Sequence, residues 1–267
     1  MRTFLCCLNK DRLEIIRGRK NIICFCVLLA CACLVMVTTS MLPLLLDKAM
    51  NITNFLSGDT TLADFMSQFF PADLKGSMGI FSSDVGIFYS LVLIIFTFNL
   101  LPSEIASGKM ILPLCAGHNK NMLLLSKQLT YSTLLAFPVF PVYLLYYTIG
   151  TSLLQNNYDF KTAVGNALVL TSVAFFVTSI TIVLSVVMKR KYLTLATMVV
   201  AIMVAPDLLS YFTFGQYFPT YLLTFSYNTS STFSSLIVPY AVTIVLLLFL
   251  DIWAIKKRFT VDVDARY

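Results

Sequence analysis

The chain has 267 residues, of which 58% are apolar and 12% charged, and its mean hydropathy is +0.83. An ordinary soluble domain carries charge on roughly a quarter of its residues, so this composition excludes a water-soluble enzyme. The net charge of +6 is a topology signal once its distribution is followed along the chain, and it gives no reason to expect a nucleic-acid partner.

The first twenty residues carry Phe4, Leu5, Leu8, Ile15 and Ile16 loosely on one side and Lys10, Glu14 and Arg17 on the other, with Arg12 and Leu13 out of place. This pattern predicts a helix lying in the membrane interface, at residues 1–20. Six apolar stretches follow, at 21–46, 85–101, 122–154, 162–188, 192–214 and 234–255. In lipid each must satisfy its own backbone and so be a helix of about 20 residues. The longest interval between them is 38 residues, Asp47 to Asp84, which leaves no room for a separate folded domain. The fold class is therefore all-α and polytopic, with residues 1–267 forming one membrane domain.

Of the 19 Lys and Arg residues, 16 fall before the first stretch, beside the connection from the second to the third (Lys109, Lys120 and Lys127), between the fourth and fifth, or after the last; only Lys48, Lys75 and Lys161 fall on the other side. Basic residues are retained on the cytoplasmic face, so both termini are expected there, as an even number of spans requires. The membrane is expected to be the plasma membrane. Leu28-Leu29-Ala30-Cys31 has the outline of a lipoprotein cleavage box, but the apolar run continues fifteen residues beyond Cys31 to Leu46. It reads as an uncleaved signal anchor.

Catalytic and metal-binding patterns are absent. The single histidine, His118, forms no His-Glu-x-x-His helix, no Gly-x-Ser-x-Gly elbow occurs, and the seven cysteines lack zinc-type Cys-x-x-Cys pairs. Six of them, at 6, 7, 24, 26, 31 and 33, read as small apolar packing residues. Gly-x-x-x-x-Gly-Lys-Ser/Thr is missing as well, so no ATP is bound by this chain and any pumping must be powered by another polypeptide. Within the apolar stretches the carboxylates are Asp207, after Pro206, and Asp251, one turn before Lys256; both read as interfacial residues. Pro138 and Pro141 predict a kink or a freed carbonyl in the third stretch, where a bend would line a path.

The connection at 102–121 is half apolar, mildly basic and broken by Gly and Pro, too apolar for a solvated linker. Such a segment is built to meet a partner surface. It places Glu104 at the end of the second stretch, then Gly108-Lys109, then Asn119-Lys120, and Lys127 nineteen residues after the glycine. In these residues, and in the basic amphipathic start, the outer loop and the six stretches, the sequence resembles the permease subunits of type-2 ABC transporters, the exporter class. It departs from that pattern at Lys109, where threonine is usual, at Gly117, where proline is usual, and in lacking an arginine beside Glu104.

The resemblance implies a permease working as a dimer of itself or with a sibling, coupled to a separate cytoplasmic ATPase that binds the ATP. The 102–121 segment would be the coupling helix, with Glu104, Gly108, Lys109, Lys120 and Lys127 as its functional residues and Glu104 anchoring it to the base of the second stretch or to the N-terminal segment, there to Arg12, Arg17 or Arg19. Asp207, Phe214 and Tyr217 would belong to an outer gate, and Pro138 and Pro141 to the path. Exported cargo would be a drug, an antimicrobial peptide or another amphipathic compound. The alternative class is a passive channel or an assembly scaffold with no ATPase. The aromatic stretches Leu62–Phe70 and Tyr211–Tyr221 are expected to rest in the outer leaflet.

Overall fold

The computed structural model describes residues 2–53, 73–109, 120–154, 158–188, 191–204 and 234–257, together with Leu208 and Tyr211. It is a bundle of helices. Among the described residues, five helical stretches are long and apolar enough to cross a bilayer: Lys20–Met41, Leu74–Ile105, Asn121–Leu153, Phe160–Val187 and Ile237–Ala254. The protein is thus an all-α, multi-pass membrane protein.

Helix α1 spans Arg2–Arg17 and α2 spans Lys20–Thr53. Between them the chain turns at Gly18 and Arg19, and Arg19 takes a φ of 53°, a left-handed conformation that L-residues adopt only at a cost. That single residue separates the two helix directions. On α2, Thr38, Thr39 and Ser40 all donate to the carbonyls of Val35 or Met36, so hydroxyls in an apolar helix are satisfied locally.

The second apolar stretch begins eleven residues earlier than the hydropathy pattern at 85–101 predicts. It comprises α3 (Leu74–Ile80), a π-helical turn (Phe81–Val85), α4 (Gly86–Thr97) and α5 (Leu100–Ala106). The reason lies in Asp73, whose carboxylate accepts from the Gly76 N–H at 3.2 Å and caps the helix start. Lys75, Asp84 and the Gly and Ser residues between them dilute the hydropathy, yet Leu74, Ser77, Met78, Phe81 and Val85 are buried at helical spacing. Asp84 itself is exposed.

The third stretch is two helices, α6 (Lys120–Ala136) and α7 (Val139–Leu153), interrupted at Phe137 and Pro138. Pro138 has no N–H to continue the ladder, whereas Pro141 sits in the first turn of α7, where a missing donor is tolerated. At the break, the Tyr89 hydroxyl of α4 donates to the Leu135 carbonyl at 2.6 Å. A neighbouring helix thereby takes up an acceptor at the interruption.

Helix α8 (Phe160–Val187) is the hub and packs against α4, α6, α7 and α10 (Ser234–Lys257). Ala163, Ala167 and Ala174 are buried on it. Ser179 bonds Ser132 of α6 at 2.7 Å, and Ser172 bonds Tyr240 of α10. Helix α9 (Lys191–Met203) has 13 residues, about 20 Å of helix, shorter than a bilayer core. It packs on α4 and α8 through Met198 and Ile202, against Ile94, Val169, Val173 and Val177. The rest of the stretch read as 192–214 lies largely outside the described residues.

Two polar clusters mark the ends of the bundle. At one end Lys20 sits over the Tyr131 ring, 5.4 Å from its centroid, beside Lys127. At the other, Ser77 donates to Thr39 at 3.2 Å and meets the Tyr146 hydroxyl, while Phe81 stacks on Tyr146 with centroids 4.4 Å apart. Lys20 and Thr39 are nineteen positions apart on the continuous α2, about 28 Å of helix, and Lys127 and Tyr146 are nineteen apart across the α6–α7 break.

Candidate functional site

Lys127 enters the bundle from the second turn of α6, with only 5% of its side chain exposed. A lysine ammonium is almost never buried so far without partners. Its Nζ lies 2.6 Å from Glu104 Oε1 of α5 and 3.2 Å from Asp11 Oδ1 of α1. The second Asp11 oxygen accepts from the Ser126 hydroxyl at 3.2 Å. One cation and two carboxylates thus join three helices, and the Tyr131 ring lies within 6.0 Å of the ammonium. Burial pushes the Asp11 carboxyl above its ordinary range, and the adjacent Lys127 opposes that rise.

The expected partners of Glu104 are corrected by this arrangement. Glu104 binds Lys127, while Arg12, Arg17 and Arg19 all have exposed side chains. The geometric reason is that α1 turns its Asp11 and Ile15 face to α6 and its arginines away. Ile15 is fully buried.

Gly108 ends α5. Its φ is 71°, a conformation that glycine adopts without a Cβ penalty. Its N–H donates to the Ile105 carbonyl at 3.2 Å, and the Lys109 N–H donates to the Glu104 carbonyl at 3.1 Å, the paired bonds of a Schellman stop. The same Glu104 that holds Lys127 with its side chain therefore receives the closing bond of the helix with its backbone. Gly108→Ala is expected to cost about 1 kcal/mol locally, visible as faster amide exchange across residues 104–109, with Gly108→Val costing more. Unchanged exchange in Gly108→Val would remove the stop.

Lys109 is exposed just beyond this stop, and Lys120 opens α6. The intervening residues 110–119 lie outside the described residues, as do Asp207, Phe214 and Tyr217 and the aromatic stretch Leu62–Phe70. Glu104, Lys127, Gly108 and Lys109 are thus brought to one end of the bundle, and Pro138 and Pro141 lie elsewhere, at the α6–α7 break. The residue that sequence reasoning missed is Asp11. Its only signal is an acid four positions before Ile15, set between Lys10 and Arg12.

Next to Lys127, Gln128 is buried and lies near the Asp251 carboxyl of α10, whose Oδ1 is buried without a partner among the described groups. Helix α10 therefore ends at the same end of the bundle as α1. No group of His, Cys, Asp and Glu suited to a metal occurs among the described residues. No protein-family model and no curated protein matches the sequence.

Proposed function

We propose that this chain is the transmembrane permease subunit of an ABC exporter, dimeric and driven by a separate cytoplasmic ATPase. One observation supports this reading above the others. The two rims of the 110–119 connection, Glu104 and Lys127, are bound to each other at 2.6 Å and through Asp11 to α1. A force applied to the connection would be carried into the second and third stretches and the N-terminal helix together.

On this reading six spans cross the plasma membrane, the fifth completed beyond Met203, and both termini are cytoplasmic, together with the Lys127 end of the bundle. The path runs along the interface with the second permease, walled by apolar and hydroxyl side chains that suit an amphipathic cargo such as a drug or antimicrobial peptide. ATP binds to the partner, so the chain alone hydrolyses none. The family resemblance in Glu104, Gly108, Lys120 and Lys127 adds weight.

Purification of tagged chain from its own cells is the direct test. A stoichiometric partner bearing a Walker motif is expected, and its absence would favour a passive channel or scaffold. In the reconstituted complex, Glu104→Gln should bring cargo-stimulated ATPase activity down near the unstimulated level while membrane abundance is unchanged. Full stimulation in that variant would remove the coupling role.

A further inference from the structure

Helix α1 has two apolar faces, and only one of them is used inside the protein. Ile15 and Asp11 point into the bundle and are buried, with Leu8 partly so. Leu13 and Ile16 point the other way and are 51% and 49% exposed. With 100° between successive helical positions, Leu13, Ile16, Asn9 and Cys6 form the outward strip. Arg12 flanks it on one side and Lys10 and Arg17 on the other, with Arg19 in the turn just beyond the helix. All four cations are exposed. The exposed residues between 6 and 19 include one carboxylate, Glu14. What looks in the sequence like an imperfect stripe, with Arg12 and Leu13 misplaced, is two stripes sharing one helix.

The level of this strip is fixed by its neighbours. Asp11 touches Ser126 and Lys127, a turn or so into the candidate span Asn121–Leu153. Arg19 directly precedes the candidate span Lys20–Met41. So α1 lies at the boundary of the hydrocarbon with its unused face turned away from the bundle. At that depth an apolar strip between flanking cations fits the acyl chains and the phosphates of one leaflet.

We infer that the outward face of α1, Leu13 and Ile16 between Lys10, Arg12 and Arg17, is a docking surface for anionic phospholipid in the leaflet at the Lys127 end of the bundle. The inference needs only the membrane-protein fold and stands apart from the ATPase reading. Its consequence is that lipid charge bears on Asp11, which sits on the opposite face of the same helix and holds Lys127. The composition of the leaflet would therefore set how firmly the three-helix junction is clasped.

The test uses full-length protein in nanodiscs of phosphatidylcholine alone and of phosphatidylcholine with about 30% phosphatidylglycerol, read by hydrogen exchange of residues 9–17. Exchange is expected to slow about tenfold in the anionic discs, and raising the salt should reverse the effect. Arg12→Gln with Arg17→Gln should abolish the dependence on phosphatidylglycerol, whereas Arg12→Lys with Arg17→Lys should keep it. Should the glutamine variant fail to insert, the wild-type comparison between the two lipids and its salt titration decide the matter. Equal exchange in both discs would overturn the proposal. So would protection that ignores lipid charge and follows protein concentration or an added cytoplasmic partner, since a protein would then cover the strip.

Discussion

Lys127→Met is expected to destabilise the folded bundle by about 3–5 kcal/mol, the usual cost of breaking a buried ion pair from one side. The arithmetic is severe because two carboxylates depend on one ammonium. Asp11 is 4% and Glu104 11% exposed at the side chain, so neither regains water when the lysine is removed. Both then repel each other at short range in a poorly screened site. Thermal unfolding in detergent should show a strongly lowered midpoint. Combining Lys127→Met with Asp11→Asn and Glu104→Gln should recover more than half of the loss, since neutral groups no longer strand a charge. A single Lys127→Met variant as stable as the parent would mean that the three side chains do not meet as described.

Tyr146→Ala should cost a similar amount, about 3–5 kcal/mol for loss of a buried aromatic, but at the opposite end. Tyr146 is 2% exposed and stacks on Phe81, itself 1% exposed. Its hydroxyl meets Ser77, whose own proton is committed to Thr39, so the truncation opens a cavity and leaves a serine oxygen short of a donor. Tyr146→Phe separates the two effects. It keeps the ring and loses only the hydroxyl, and a drop of about 1 kcal/mol is expected. Equal losses in the two variants would assign the whole effect to the hydrogen bond and none to the packing.

The membrane-spanning character of the chain is legible in composition and window hydropathy, because lipid imposes a length and a polarity on every helix that crosses it. Boundaries are less legible. Asp73 starts a helix eleven residues ahead of Val85 by a local cap, and Lys75 and Asp84 lie on it without facing the core, so hydropathy alone reads the segment as a loop. The interruption at Pro138 is visible in sequence, but that Tyr89 takes up the Leu135 carbonyl is not, since the pairing joins residues 46 positions apart.

The ionic junction divides in the same manner. Glu104 and Lys127 stand out as charges bordering apolar runs, and their likeness to a family pattern singles them out further. Asp11 stands out in neither way. Its importance comes from packing α1 on α6, an event of tertiary structure, and in the sequence it is one acid among basic neighbours. The partner of Glu104 differs from the expected arginines for a related reason. Counting favours the abundant arginines of the N-terminal helix, but the helix that buries Asp11 necessarily turns those arginines outward.

The spacing of the two end clusters has a consequence for where this protein can reside. Along the unbroken α2, Lys20 and Thr39 hold polar groups about 28 Å apart, and each is tied to the α6–α7 stretch, at Tyr131 and through Ser77 at Tyr146, so neither level slides without breaking contacts. The molecule therefore behaves as a ruler for the hydrocarbon around it. A membrane thicker than this gauge must thin at the protein's perimeter or tilt the bundle, at a cost of fractions of a kcal/mol per Å, and sorting between membranes of unequal thickness follows from that penalty.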